Sequence, residues 1–454
     1  MKKKTILFIL LITWTCIVQA ANLLEVYRQA ELNDPIFQQT MANTFATKEG
    51  VPISIAALLP NIAVQADPSI TRSAYAGSLF TAAPGTNILL SPRNNTARAY
   101  TLTLTAQQTV FNFAQFVTVA AQLDNAKSAN AKLNAALQDL MIRVAKAYFA
   151  ILQDEETLKY NQATKLAYAQ QLSQAKHQYR VGLKTLTEVY TAQASYDSAV
   201  ADYIAAQTTL ANDRENLRAI TGIYYAHLAT LSQHFPLVSP QPHNVESWVA
   251  TAMRQNWSIK ASQYAVEMQR QIIKQQFAGH LPTINVQGTL NRLYSNNING
   301  YNSISLPEGP GTQTDREIAL NINVPLFSGG GVTAQTNQAI YQFRGVQQQL
   351  EQTMRDTINL THQSYLNILA GISKIMADKQ AIKSTISSLQ GMEASYQVGN
   401  ETLVNVLNQQ QKVFEAQNQY AIDRYAFVNN VLALKQAAGT LSFVDLHAIN
   451  SWLS

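Results

Sequence analysis

One stretch of this chain occurs twice, and it restricts the possible folds more than any other feature. The first copy runs from Tyr179 to Tyr190 and the second from Tyr396 to Leu407, an offset of 217 residues (396 − 179). In each copy a long helical pattern ends at Val-Gly and another starts at the threonine that follows. Glycine can close a helix in the left-handed conformation, and threonine can cap the next one. Each copy predicts the tip of a helical hairpin, and its recurrence in register favours a duplicated functional tip over a routine turn.

The duplication extends beyond the tips and divides the chain. Leu59 to Gln65 resembles Leu281 to Gln287, and three prolines mark a connector between the halves. We predict a cleaved segment 1–20, a first repeat 21–222, a connector 223–244, a second repeat 245–439 and a tail 440–454 that contains a short helix.

The N-terminus predicts a secretory signal. Three lysines at positions 2–4 precede an apolar run from Ile6 to Val18 and a small-residue cleavage site before Ala21. Cleavage would remove Cys16, the only cysteine, and lower the formal charge from +5 to +2 (5 − 3). This loss of basicity argues against a nucleic-acid partner.

Four segments alternate with a period of two. They have one apolar and one mostly uncharged polar face, and they are Ile62–Asp67, Tyr100–Gln107, Ile284–Asn291 and Ile318–Val324. Loops Tyr75–Asn95 and Ser295–Thr314 join them in pairs. The pattern is typical of transmembrane β-strands or of a half-buried antiparallel sheet. No later stretch has the length of apolar residues that a membrane helix needs, which favours membrane strands.

The remaining sequence predicts long helices. In each half one long helix would lie beside two shorter ones, and the predicted helices are Asn22–Ala57 with a break at Asn33-Asp34-Pro35, Phe111–Tyr179, Thr185–Gly222, Val245–Ala278, Val332–Gln397 and Thr402–Gly439. The longest would reach ~100 Å at 1.5 Å per residue.

Steps of three and four residues mark coiled-coil stripes on the ascending helices. The positions are Val189, Gln193, Tyr196, Val200, Tyr203, Gln207, Leu210, Arg214 and Leu217, then Val406, Gln410, Val413, Gln417, Tyr420, Arg424, Phe427, Val431 and Leu434. Glutamine and arginine at these positions predict packing into a larger assembly with a solvated inner wall.

The sequence predicts no enzyme. The seven histidines stand apart, and Gly329-Gly330-Gly331 lacks the context of a phosphate-binding loop. Asp154-Glu155-Glu156 is typical of a solvated helix face. We therefore predict no catalytic residues, no metal and no cofactor.

Taken together, the signal, the duplicated halves, the paired strands, Leu-Pro before strands one and three, and the Val-Gly-x-x-Thr tips resemble the TolC family of outer-membrane efflux and secretion ducts. The resemblance covers the mature chain. It implies a mixed α+β membrane protein with a periplasmic helical coiled-coil barrel and four strands per chain in a trimeric twelve-stranded β-barrel. It also implies the outer membrane of a Gram-negative bacterium as the location.

The family resemblance further implies a passive exit duct for tripartite efflux or type I secretion. Its partners would be a periplasmic adaptor, an inner-membrane pump of the RND, ABC or MFS type, and outer-membrane lipid. The homotrimer agrees with the strand count, because four strands cannot close a barrel whose known minimum is eight.

The resemblance assigns site residues at the tips. The gate latch would consist of Thr187, Glu188, Tyr396 and Glu401, with a hydrogen bond from Tyr396 to Glu188, and the pore constriction would contain Asn405 and Asn408. The adaptor-binding tip residues would be Val181, Gly182, Leu183, Thr185, Val398, Gly399, Asn400 and Thr402.

The chain departs from the family pattern at three of these positions. Glu401 replaces the latch arginine, and Asn405 and Asn408 replace two constriction aspartates. We hypothesise that Glu401 pairs with Lys184 or Arg180, and that cation selectivity is weak.

A second interpretation, from another class, is a non-channel periplasmic coiled-coil scaffold or adaptor. Adaptors normally carry one hairpin together with lipoyl-like and small β-barrel domains, so two hairpins and four strands favour the duct.

Overall fold

The computed structural model describes residues 20–75, 79–83, 86–89, 93–183, 185–232, 235–296 and 310–453. The cleaved signal predicted over 1–20 therefore lies almost wholly outside the described residues. The helices are α1 (Leu23–Asn33), α2 (Pro35–Lys48), α3 (Gly50–Ala56), α4 (Phe113–Arg180), α5 (Leu186–Thr221), α6 (Val245–Gln255), α7 (Trp257–Phe277), α8 (Gly331–Gln397), α9 (Leu403–Ala437) and α10 (Phe443–Asn450). The strands are β1 (Asn61–Tyr75), β2 (Leu79–Ala83), β3 (Thr86–Leu89), β4 (Arg93–Asn112), β5 (Thr283–Ser295) and β6 (Gly311–Asn323).

The long helices, the tail helix and the break before Pro35 are confirmed. Two further breaks were not predicted, one at Glu49 and one at Asn256. Asn256 accepts hydrogen bonds from the backbone N–H groups of Ser258 and Ile259, so it caps α7 in the manner that short polar side chains favour.

By its contacts the chain divides into two compact units. The first contains the described parts of Met1–Asn43, Asn130–Ala261 and Glu351–Ser454, and the second contains Thr44–Ala129 and Ser262–Leu350.

The second unit contains a four-stranded antiparallel sheet in the order β1-β4-β5-β6. Its register puts the predicted apolar residues side by side: Val64 lies opposite Leu104, and Leu104 lies opposite Leu290. The next row is polar, and there Thr103 donates a hydrogen bond to Asn291 at 3.3 Å. The predicted alternation is confirmed. The apolar face is open in the single chain, with Ile318 87% exposed.

The predicted loop Tyr75–Asn95 is wrong in part. β1 and β4 extend their ladder to the pair Tyr75 and Arg93, and β2 and β3 form a further antiparallel hairpin between them. In the corresponding predicted loop of the second half, residues 297–309 lie outside the described part, and β6 already begins at Gly311.

The core of the first unit centres on aromatic side chains from α4 and α9. Phe149 stacks on Tyr425 with ring centroids 6.0 Å apart. The Tyr148 hydroxyl donates to the carbonyls of Ala229 at 2.7 Å and Ala21 at 3.2 Å, which ties the connector and the N-terminus to α4. Burial of these large side chains supplies most of the favourable free energy of this core.

Arg424, one of the predicted stripe positions, is buried. It is 7% exposed, and its Nη2 donates to the connector carbonyls of Leu231 and Ser232 at 3.1 and 2.8 Å. Phe235 also lies under its guanidinium, at 5.4 Å. A buried arginine is stable here because backbone oxygens and an aromatic ring replace its hydration.

The break before Pro35 is stabilised by an ion pair. Asp34 is 1% exposed, accepts from the Phe37 N–H at 2.7 Å and binds Arg143 through both oxygens, at 2.7 and 3.1 Å. Burial alone would raise the pKa of Asp34, but the hydrogen bonds from Arg143 and from the backbone, with the arginine's charge, lower it overall. Asp34 therefore caps α2 and links it to α4.

We expect Asp34→Asn to lower the free energy of unfolding by about 2 kcal/mol, because Arg143 loses its buried partner. Since the folded-state pKa is lowered, this stabilisation is complete above about pH 4 and is lost as the pH falls through the folded-state value. Thermal unfolding at several pH values measures it. Asp139→Asn is the control, because Asp139 binds the same arginine at 2.8 Å but lies half exposed. Equal effects of the two substitutions would contradict the argument.

We expect Gly439→Ala to destabilise the protein by roughly 1–3 kcal/mol. Gly439 has φ +73°, and an added Cβ would lie 2.6 Å from backbone atoms of Asn256, so α9 and α7 would have to separate. Gly391→Ala in α8 is the matched control, since its Cβ would point into open space. That variant should be neutral or more stable by up to about 1 kcal/mol. The melting temperatures of the two variants test this prediction. A Gly439→Ala variant as stable as the wild type would contradict the predicted clash with Asn256.

Candidate functional site at the hairpin tips

The two tips end their long helices in the same way. Gly182 and Gly399 are left-handed, with φ 77° and 79°. At the first tip the Gly182 N–H donates to the Tyr179 carbonyl at 3.0 Å, and Leu183 donates to the Gln178 carbonyl at 2.9 Å. The second tip repeats both bonds, as a Schellman motif does.

Threonine begins the returning helix at each tip. Thr185 accepts from the Glu188 N–H at 3.4 Å, and Thr402 accepts from the Asn405 N–H at 3.3 Å. Both are N-caps. The predicted glycine closure and threonine cap are therefore confirmed at both tips, and they show how a local sequence pattern reverses a helix within a few residues.

The predicted adaptor-binding residues lie at the surface. Val181 is 70% exposed, Leu183 73% and Val398 71%. The other tip positions are also exposed: Gly182, Thr185, Gly399, Asn400 and Thr402. Large apolar side chains with this exposure at a chain reversal are available to a partner.

Behind the tips lies a small apolar cluster, which we call the tip cluster. It joins α4, α5 and α9 and consists of Tyr168, Leu172, Ala175, Val189, Ala192, Ala199, Leu403 and Leu407, with Tyr196 and Tyr396 packed against it. The cluster holds the two hairpins of one chain against each other near their ends.

Among the predicted latch residues, Tyr396 lies where the hairpins meet. Its hydroxyl lies 3.5 Å from Gln178 Oε1, the outer limit of a hydrogen bond. Glu188 lies in the first turn of α5, partly buried, and Thr187 beside it is exposed. The bond from Tyr396 to Glu188 stays a prediction.

Glu401 lies just before α9, and its described contact is with the first turn of that helix. Its Oε1 accepts from Asn405 Nδ2 at 2.6 Å. The Arg180 guanidinium lies 3.0 Å from His177 Nδ1, and Lys184 is outside the described residues. The pairing of Glu401 with Lys184 or Arg180 stays a prediction. Asn405 and Asn408 are exposed and three positions apart on α9, so they share a face.

Polar contacts between the hairpins were missed by the sequence interpretation. Tyr168 donates its hydroxyl proton to the Leu407 carbonyl at 3.2 Å, and Gln171 donates to Gln410 at 2.7 Å. Farther from the tip, Thr157 donates to Asn418 at 2.8 Å. The partners are more than 200 residues apart, so the sequence does not show that they meet. The one available signal was the position of Gln410 in a predicted coiled-coil stripe.

No group of three or more His, Cys, Asp or Glu residues that could hold a metal occurs within the described ranges. In the same part of the chain, no helix has both the length and the apolar character needed to cross a membrane.

The similarity to known proteins covers both halves of the duplicated chain. The family model described as outer membrane efflux protein matches residues 26–223 and 248–440. The chain belongs to this family. The outer membrane protein TolC of Vibrio cholerae serotype O1 is 34% identical over 455 residues, which covers 100% of this chain and 99% of that relative.

A secretion protein and a solved structure extend the likeness. The alkaline protease secretion protein AprF of Pseudomonas aeruginosa is 24% identical over 437 residues, 95% of this chain and 87% of that relative. The crystal structure of the channel CusC has a TM-score of 0.76 at 17% identity, with 92% of each chain covered, and therefore shares the fold. The protein is an outer-membrane protein of the exit-duct class, which favours the duct over the periplasmic scaffold.

Proposed function

We propose that the protein works as a homotrimeric duct, gated at its hairpin tips, that carries small molecules or proteins from an inner-membrane pump to the exterior. The observation that carries this proposal is the likeness to TolC over the whole chain. The resemblance to AprF, named for protease secretion, supports type I secretion as one use. The energy comes from the pump, and we assign no catalytic step to this chain.

The sheet supports assembly from several copies. Among the described residues of one chain β1 pairs only with β4, and β6 pairs only with β5, so each has an edge that can accept another strand. Three copies would supply twelve strands, above the minimum of eight for a membrane barrel. The exposed apolar row that contains Ile318, Leu320 and Ile322 would then face lipid.

The tips support the gate and the docking site. Exposed Val181, Leu183 and Val398 offer apolar anchors to a periplasmic adaptor. Tyr396, Glu188 and Thr187 would hold the second hairpin against the first, with Gln178 as an added partner of Tyr396. Asn405 and Asn408 would line the constriction with amides.

The latch predicts a change in conductance. Wild-type protein in a planar lipid bilayer should conduct weakly, and Tyr396→Phe with Glu188→Ala should raise conductance by the order of tenfold, because the loss of one or two hydrogen bonds shifts a closed–open equilibrium by about 1–2 kcal/mol. Tyr190→Phe is the matched control, since this tyrosine lies 65% exposed beside the first tip.

The outcomes separate the duct from its latch. High conductance already present in the wild type would discard the latch and keep the duct. No conductance from well-folded trimer, in either form, would instead favour the non-channel scaffold.

The constriction predicts weak block by multivalent cations. Amides carry no charge, so trivalent cations should bind poorly at Asn405 and Asn408. Asn405→Asp with Asn408→Asp should lower the blocking concentration at least tenfold, since three chains would add six carboxylates. The control Gln162→Glu with Gln207→Glu adds the same charge at exposed positions of the first hairpin. Strong block of the wild type by trivalent cations would contradict the assignment of Asn405 and Asn408 to the constriction.

A further inference from the structure

Each helical hairpin contains two aspartates that face each other across its arms. In the first hairpin the buried Oδ2 of Asp154 on α4 lies near Asp213 of α5, and in the second the buried Oδ2 of Asp378 on α8 lies near Asp423 of α9. We predicted that Asp154-Glu155-Glu156 forms a solvated helix face. This prediction is wrong for Asp154, because its carboxyl group turns toward the neighbouring helix.

Heptad spacing supports the first placement. Asp213 continues the series Ala192, Ala199 and Ala206, all buried on α5. Residues seven apart on packed helices occupy the same side of the contact. Asp213 therefore points into the seam between α5 and its neighbours. Beside the pair, Glu155 and Arg214 join the same two helices at 2.8 Å.

The second pair is equally well placed. Asp423 is 8% exposed, and its neighbour Gln419 donates to Oδ2 at 3.0 Å. Gly371 of α8 packs against Phe427 of α9, one to two helical turns farther from the tip than Asp378 and Asp423. The two pairs are not copies made by the duplication, because the 217-residue offset maps Asp154 to Gly371 and Asp213 to Asn430.

One oxygen in each pair lacks a donor. Asp154 Oδ2 and Asp378 Oδ2 are buried and have no hydrogen-bond partner in the part of the chain that the structure describes. Their partners do have donors, since Asn216 donates to Asp213 at 2.9 Å and Gln419 donates to Asp423. A buried carboxylate oxygen without a donor is costly, whereas a protonated carboxyl can itself donate to the facing carboxylate.

We propose that each hairpin carries a proton-binding site, in which protonated Asp154 or Asp378 donates a hydrogen bond across the hairpin to Asp213 or Asp423. The ligand is the proton, and it joins the two arms of each hairpin. This inference concerns the hairpins of the folded chain and goes beyond the proposed transport.

The electrostatic surroundings agree with this assignment. Burial, and then the charge and hydrogen bond of Asp213, raise the pKa of Asp154 to about 7. Burial, and then Asp423, raise the pKa of Asp378 to about 6, against an opposing effect of Lys374. Lys374 Nζ lies 3.9 Å from Asp423, while Arg424 is directed to the carbonyls of Leu231 and Ser232. Because two facing carboxylates share one proton, each pair titrates as a unit.

The sign of the pH dependence follows. The folded hairpins bind more protons than unfolded chain, whose aspartates titrate near pH 4, so stability falls as the pH rises from about 4 to about 7. Above that range both carboxylates of a pair are ionised and repel each other.

The test is thermal unfolding of the purified full-length protein between pH 5 and 8, for the wild type and for Asp154→Asn with Asp378→Asn. An asparagine amide donates to the facing carboxylate at every pH, so the variant should lose most of the wild-type fall in melting temperature. Asp197→Asn with Asp356→Asn removes the same charge at exposed positions and should keep the fall. A fall of equal size in the aspartate-pair variant would overturn the proposal.

Infrared spectroscopy of the wild type gives a test that does not depend on folding of a variant. Near pH 5.5 the spectrum should show the C=O band of protonated carboxylic acid, and the band should vanish as the pH passes 7. Glutamates and aspartates in water are already ionised at that starting pH. A wild-type spectrum without this band would exclude protonated aspartates and overturn the proposal.

Discussion

Chain reversal at two left-handed glycines is the constraint on which the long helices depend. α4 contains 68 residues and α8 contains 67. Such helices are stable when other helices cover them. Gly182 and Gly399 return the chain at once, so α5 and α9 lie along the helices that precede them. The two hairpins then pack on each other through the aromatic core and the tip cluster.

The parts of the fold that sequence predicts well are those with local causes. The tips, the break at Asp34 and the alternating strands depend on residues within a few positions of each other. The break at Glu49 stands directly before Gly50, with Pro52 two residues farther on, and the sequence interpretation did not use this signal. For the break at Asn256 the signal was asparagine as an N-cap. The β2–β3 hairpin was missed because its strands have only five and four residues and a Pro-Gly pair stands between them, which is typical of a loop.

In the candidate site, too, the sequence predicts the features with local causes and misses those that depend on distant packing. Exposure of Val181 and Val398 at a reversal follows from sequence, but the choice of Gln178 as the neighbour of Tyr396 does not, because it depends on how two distant hairpins pack. Asp154 illustrates the limit most clearly. A run of three acidic residues is usually solvated, but Asp154 and Glu155 both reach groups of α5, and only the packing of that helix reveals this.

Because β1 and β6 have open edges, the stability of this sheet depends on the concentration of further copies of the chain. In the part of the chain that the structure describes, one row of backbone donors and acceptors is unpaired along each edge of this sheet, and hydrocarbon offers no substitute for those hydrogen bonds. The free energy of the sheet then includes a term for meeting further copies, as in obligate oligomers whose stability is inseparable from protomer concentration. Newly made chains would therefore remain vulnerable to degradation for as long as they are dilute. The yield of assembled ducts would then rise more than proportionally with the expression level.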